Sequence, residues 1–453
     1  MRNAIANLTG LIAVFGMIVS MPLSYGAEEE EIKVESGKDI KVRVELDREV
    51  LPADKEDTAV IKVTLGAPRP PEEAERPPVN LGIVLDRSGS MSGSKIVKAR
   101  EATLEALRRL AAHDLFALVS YNHNVETVVP AQSAANTNWI EERIRQIHAN
   151  GNTALFGGVS QGAAEVRKNL KEEYIHRIIL MSDGLANVGP SSPADLERLG
   201  AALVKEGISV TTVGVGTDYN EDLMTRLSQA SDGNAYFVEN SRDLPRIFAE
   251  ELGDVLSVVA RKVIIEIEVK DGARPVRIIG REGRIRDNKV EITLNQLYGG
   301  QEKYALIETR VPATAKDKTR TVAVARIRYE NVITEEKAKA ESQADAKFSD
   351  DEEVIRKNVN ADVQRELYYN RIAITKDQAV ELMDAGRKKE AVEALRRVQQ
   401  EAEEAASMYG IEGLAPAAAE VGADAEQLEQ RGMSKSDRKS FRTDSYQIRS
   451  QQK

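Results

Sequence analysis

Three oxygen-bearing side chains stand two residues apart behind an apolar run: Asp86, Ser88 and Ser90 in Asn80-Leu-Gly-Ile-Val-Leu-Asp-Arg-Ser-Gly-Ser-Met-Ser-Gly-Ser-Lys95. In extended backbone alternate residues point the same way, so one carboxylate and two hydroxyls can converge on one point. An all-oxygen set suits a hard divalent cation, Mg2+ or Mn2+, rather than zinc. A structural reading competes, because the same residues can form an Asx-type turn followed by a serine cap. Two further segments supply what the first lacks. Asn150-Gly-Asn-Thr153-Ala-Leu-Phe-Gly-Gly158 is a Gly-rich turn opening a helix with a threonine hydroxyl at its start, and Ile178-Ile-Leu-Met-Ser-Asp183-Gly184 is an apolar strand ending in an aspartate.

Together these three segments resemble the metal-ion-dependent adhesion site of the von Willebrand factor type A domain, in the family's order and approximate spacing. The resemblance covers about residues 80–256. Val213-Gly-Val-Gly-Thr-Asp218, Gly233-Asn-Ala-Tyr-Phe-Val238 and Leu244-Pro-Arg-Ile-Phe248 fit it as well. It implies that Ser88, Ser90 and Thr153 contact the metal through hydroxyls, and that Asp86 and Asp183 hold it directly or through water. The implied cofactor is Mg2+, with Mn2+ or Ca2+ as alternatives. The implied partner is a protein presenting Asp or Glu to the metal. Arg87 stands where an apolar residue is common and Asn152 where a glycine is frequent; neither change removes a ligand oxygen. The layout of the whole chain resembles bacterial exported type A proteins and, more distantly, inter-alpha-trypsin inhibitor heavy chains.

The elements that must position these residues follow from period and punctuation. Apolar Leu81–Leu85 reads as a strand buried on both faces, and Val97, Leu104, Leu107 and Ala111 as one helical face behind it. Strands then alternate with helices to Leu256, which predicts a doubly wound, mostly parallel sheet with ligands beyond the carboxyl ends of its strands. From Lys262 the period changes to two, as in Val263, Ile265, Ile267 and Val269, and an antiparallel all-β unit is expected over 261–333. Ile40–Asp47 and Val60–Leu65 are two strands that cannot stand alone. The expected fold class is therefore an α/β doubly wound domain (80–256) inserted in an antiparallel β-sandwich (38–66 with 261–333). A Pro-rich linker (67–79) leads into the domain. A polar linker (334–351), a helical hairpin (352–410) and a disordered tail (411–453) are expected to follow.

Composition bounds the function. The 453 residues carry a net charge of −10, which argues against nonspecific nucleic-acid binding. There is no cysteine, so disulfides and thiolate zinc sites are excluded. The four histidines, His113, His123, His148 and His176, lack metal-ligand spacing and read as surface or helix-end residues. Residues 1–26 read as a signal peptide: a basic start, an apolar core from Leu8 to Val19, and small residues before Ala27. The expected location is periplasmic or extracellular with some envelope association, an uncleaved membrane anchor being the alternative.

Three function classes remain. A non-enzymatic binding module is favoured by charge, since two carboxylates balance a divalent ion and leave it electrophilic toward an incoming carboxylate. A scaffold with a purely structural metal is the second. The third is a serine hydrolase, because Ser92-Gly-Ser-Lys95 matches S-x-x-K and Ser120-Tyr-Asn122 imitates its second motif; no Lys-Thr-Gly follows.

Overall fold

The computed structural model describes residues 38–70 and 76–452. The signal expected over 1–26 lies outside the described residues, as do residues 71–75 of the Pro-rich segment. Among the described residues no helix is long and apolar enough to cross a membrane.

The chain begins in a sandwich with β1 (Lys41–Leu46), β2 (Val50–Pro52) and β3 (Asp57–Gly66). It then enters an α/β domain: β4 (Val79–Asp86), α1 (Ser94–Arg109), β5 (Leu115–Tyr121), β6 (Val125–Ser133), α2 (Thr137–Arg145), α3 (Leu155–Arg167), β7 (Ile175–Ser182), α4 (Pro193–Lys205), β8 (Ile208–Val215), α5 (Glu221–Ala230), β9 (Ala235–Val238) and α6 (Leu244–Val255). It returns to the sandwich through β10 (Val258–Val269), β11 (Arg274–Ile279), β12 (Arg284–Arg286), β13 (Lys289–Tyr298), β14 (Glu302–Val311), β15 (Thr319–Asn331) and β16 (Glu336–Ser349). Helices α7 (Glu352–Lys357), α8 (Ala361–Asp384), α9 (Lys388–Tyr409), α10 (Leu414–Arg431) and α11 (Lys435–Ser450) close the chain.

The inserted sheet has the order β6-β5-β4-β7-β8-β9, parallel except for β6. Its central strands β4, β7 and β8 are buried along their whole length, as near-continuous apolar runs require in a sheet covered on both faces. Alternation sorts the two faces. Leu81, Ile83 and Leu85 pack with Leu107, Ile140 and Phe248, from α1, α2 and α6. Val84 and Leu180 pack on the other face with Val159, Leu203 and Leu227, from α3, α4 and α5. Helix α3 comes especially close to β4: a Cβ on Gly82 would lie 2.9 Å from Val166, and one on Gly162 2.4 Å from Val84. That close approach brings the amino end of α3, and with it Thr153, down toward the end of β4.

The sandwich comprises the four-stranded sheet β1-β3-β14-β11 and the six-stranded sheet β12-β13-β10-β15-β16-β2. Val44, Ile61, Val63 and Ile307 of the first sheet share one core with Ile265, Ile292, Ile327 and Phe348 of the second. The α/β domain meets the sandwich at the starts of its strands. Arg177, fully buried near the start of β7, donates to Gln296 (2.9 Å) and to the Tyr298 hydroxyl (2.5 Å) on β13, with Glu251 3.6 Å away. On β8, Ser209 accepts from Asn295 at 2.5 Å. The carboxyl ends of the same strands lie at the other edge of the sheet.

Three expectations need correction. The linker expected over 334–351 is strand β16, paired antiparallel with β15 along its length. Its inward positions run Ala338, Ala340, Ser342, Ala344, Ala346 and Phe348, and such small side chains barely mark a period of two. The tail expected to be disordered over 411–453 is helical from Leu414 to Ser450, so the hairpin expected over 352–410 is part of a larger helical array. Leu414, Ala418, Val421, Ala425 and Leu428 give α10 one apolar face against the other C-terminal helices. Helix α11 is held by ion pairs: its Lys439 is buried against Glu221 at 2.7 Å, while Arg442 meets Asp222 and Asp377. Finally, His176 is buried in β7, its Nδ1 3.2 Å from Asn80 Nδ2 and its Nε2 3.0 Å from the Lys171 carbonyl.

Candidate functional site

Strands β4 and β7 are parallel neighbours in a register that sets Leu85 beside Met181. Asp86 and Asp183 therefore emerge together where the two strands end. Both are fully buried. The Ser88 amide donates to Asp86 Oδ1 at 2.8 Å, and the Ser182 hydroxyl to Asp86 Oδ2 at 2.6 Å. Burial is the main force on the Asp86 carboxyl and pushes it up to about 6, against the hydrogen bonds from Ser182 and Ser88. Asp183 Oδ1 accepts the Ser90 hydroxyl at 2.7 Å, and Ser90 Oγ lies 3.0 Å from Ser88 Oγ.

The loop before α3 completes the cluster. Its backbone is tied to the first loop by Gly89 N to the Gly151 carbonyl (2.9 Å) and Asn150 N to the Arg87 carbonyl (2.8 Å). Thr153 is 3% exposed, and its amide donates to Asn187 Oδ1 at 2.9 Å. The amides of Asn187 and Val188 return to the Thr153 carbonyl at 3.1 and 3.2 Å. Gly184 marks how closely the loops meet. A Cβ added there would lie 2.9 Å from Thr153 Oγ1 and 3.3 Å from Ser90 Oγ.

All five residues expected at the site, Asp86, Ser88, Ser90, Thr153 and Asp183, thus converge at one edge of the sheet. The donor set fits a hard divalent cation: it is all oxygen, and its two buried carboxylates face a single ammonium, that of Lys95. Among the described residues no group of three or more His, Asp or Glu side chains could hold a metal, so the hydroxyls are indispensable to such a site.

Four contributors were not singled out by sequence reasoning as part of the site. Ser182 supports Asp86, Asn187 pins Thr153, Gly184 leaves room for two hydroxyls, and Lys95 places its ammonium 2.5 Å from Asp183 Oδ2. Ser182 and Gly184 carried a signal by flanking Asp183, and Lys95 stood out only through the S-x-x-K match. The arrangement also bears on the S-x-x-K reading. The Ser92 hydroxyl donates to the Gly89 carbonyl at 2.7 Å, and Lys95 is engaged by Asp183.

Comparison with known proteins agrees with this geometry. A family model described as von Willebrand factor type A domain matches residues 80–250. The uncharacterized protein YfbK of Escherichia coli (strain K12) is 28% identical over 232 residues, covering 51% of this chain and 40% of that protein. The inter-alpha-trypsin inhibitor heavy chain H4 of Bos taurus is 25% identical over 252 residues, covering 51% of this chain and 27% of its own. The chain thus spans less than half the length of either relative. The solved structure of a von Willebrand factor type A protein from Catenulispora acidiphila shares the fold. Its TM-score is 0.66 at 18% identity, over 84% of this chain and 90% of that one. Domains of this family commonly mediate protein–protein interactions and often hold a divalent metal. Family model, sheet order and loop cluster coincide on one segment: residues 80–250 form a von Willebrand factor type A domain.

Proposed function

We propose that the chain is a non-enzymatic binding module of the cell envelope or its exterior, which engages an acidic side chain of a protein partner through a divalent ion. Asp86, Ser88, Ser90, Thr153 and Asp183 hold the ion, Mg2+ or one of its substitutes Mn2+ and Ca2+. The observation that carries this reading is the pair of fully buried carboxylates at adjacent strand ends, ringed by hydroxyls instead of further carboxylates. Neutral hydroxyls add no charge, so the two carboxylates only balance a divalent ion, which stays electrophilic, and a carboxylate from outside can fill its open coordination position. The other residues do positioning work. Ser182 orients the Asp86 carboxylate, and Asn187 holds the Thr153 loop against it. Export is supported by the leader-like composition of residues 1–26.

Calorimetric titration of the full chain with Mg2+ and Mn2+ tests the metal. Asp86→Ala removes a charge and is expected to abolish the binding heat, whereas Ser88→Ala removes a neutral dipole and weakens it less. Capture of partners from an envelope extract, in Mg2+ against chelator, tests the rest. A wild type that takes up no divalent ion at millimolar concentration, or captures the same proteins in chelator, refutes the proposal.

A further inference from the structure

Lys95 is placed where its own helix does not want it. It lies in the first turn of α1, at the positive end of the helix dipole, and that turn has no acidic residue to compensate it. Its compensation comes from across the sheet, as Asp183 Oδ2 lies 2.5 Å from its Nζ. Asp183 is fully buried, while the Lys95 side chain keeps 27% of its exposure, so the ammonium roofs the carboxylate from the solvent side. The residue after β8 lies alongside it. A Cβ on Gly216 would lie 3.4 Å from Lys95 Nζ and 3.5 Å from its Cε. The lysine stem therefore runs between the ends of β7 and β8 and delivers a fixed positive charge to the candidate metal site.

Two carboxylates against one ammonium leave the empty site with one negative charge; a divalent ion turns it into one positive charge. Without Lys95 the loaded site would be neutral. We propose that Lys95 is a built-in cation of the metal site, which loosens its hold on the divalent ion and keeps the loaded site positive so that it selects an anionic partner group. This rests on the metal reading above and adds to it a residue with two opposite effects. A charge a few ångströms away changes the ionisation of a neighbouring group by roughly 10- to 1000-fold, and a divalent ion feels it at least as strongly.

The test uses the full chain, Mn2+ as the metal and acetate as the carboxylate. Mn2+ affinity is read by calorimetry, and acetate binding by the fall in water-proton relaxation as acetate displaces water from the bound ion. Lys95→Met removes the charge at similar length. Lys95→Gln removes it while keeping a donor for Asp183. Both are expected to bind Mn2+ on the order of tenfold or more tighter than wild type, and to need correspondingly more acetate to displace water. A lysine that only supported the fold would give weaker metal binding on removal. Equal or weaker Mn2+ binding in both variants overturns the proposal, as does loss of the folded state in both by circular dichroism. If wild type and variants alike take up no Mn2+, the metal reading itself falls, and that outcome is distinct from equal binding.

Discussion

Gly184→Ala asks whether the loop cluster is a coordination site or merely a packed corner. The added methyl would sit 2.9 Å from Thr153 Oγ1, 3.3 Å from Ser90 Oγ and 3.5 Å from Thr153 Cγ2. Non-bonded heavy atoms settle at about 3.5–4.0 Å, so Thr153 must retreat by roughly half an ångström or more. Its retreat is resisted, because Asn187 and the paired amides behind it hold its backbone from both sides. Overpacking of this kind costs about 1–3 kcal/mol. If the strain falls on the arrangement that holds the ion, affinity drops by about 5- to 150-fold, at 1.4 kcal/mol per tenfold. Mg2+ should suffer more than Ca2+, since it demands near-octahedral geometry while Ca2+ tolerates irregular shells. The assay is calorimetric titration with both ions, with Gly253→Ala in α6 as the control, where an added Cβ meets nothing within 4 Å. A Gly184→Ala protein that folds and binds Mg2+ like wild type would show that Thr153 and Ser90 are not ligands.

Three further outcomes are expected. Saturating Mg2+ at about a hundred times its dissociation constant should stabilise the type A domain by about 2.7 kcal/mol, raising its own melting temperature by roughly 5–10 °C, and chelator should reverse it; an unchanged melt refutes the site. His176 is held below the usual histidine range, chiefly by burial, so the folded state prefers it neutral. Its contribution to stability is complete above the unfolded value near 6.5 and is lost as the pH falls through it, so between pH 7.5 and 5.5 wild type should lose more urea resistance than His176→Gln; parallel losses would count against the assignment. Glu221→Gln strips the buried Lys439 of its partner at 2.7 Å and should cost about 3–5 kcal/mol, with earlier tryptic cleavage within α11; unaltered cleavage would mean that the helix is held otherwise.

The part of the site that was legible in the chain is the part that is local. Asp86, Ser88 and Ser90 lie within one short stretch; extended backbone holds for Asp86 and Ser88, whereas Ser90 sits in a 3-10 turn over Gly89–Met91 and still brings its hydroxyl 3.0 Å from that of Ser88. Thr153 and Asp183 could be proposed because each borders a recognisable element, the one opening a Gly-rich helix start and the other following an apolar strand. The alternation of strands with helices, and the later change to a period of two, likewise carried the insertion of one fold in another, since burial on one face or on two leaves its mark on composition.

Long-range packing decided the rest. That Asp86 lies beside Ser182 and one step from Asp183 depends on the parallel register of β4 with β7, which no local pattern encodes. Lys95 reads in the sequence as the lysine of an S-x-x-K match, and only β7, by placing a buried carboxylate 2.5 Å away, ties it to the candidate site. Strand β16 is written largely in alanine, whose burial stabilises too little to show as a period, and its hydrogen bonds to β15 make it a strand. Helix α11 is so polar that it reads as solvated chain; its order comes from Glu221, Asp222 and Asp377, two of them more than two hundred residues earlier in the sequence. Hydrophobic period is a property of the segment that carries it, whereas charge pairing belongs to two segments at once and is settled only when the fold brings them together.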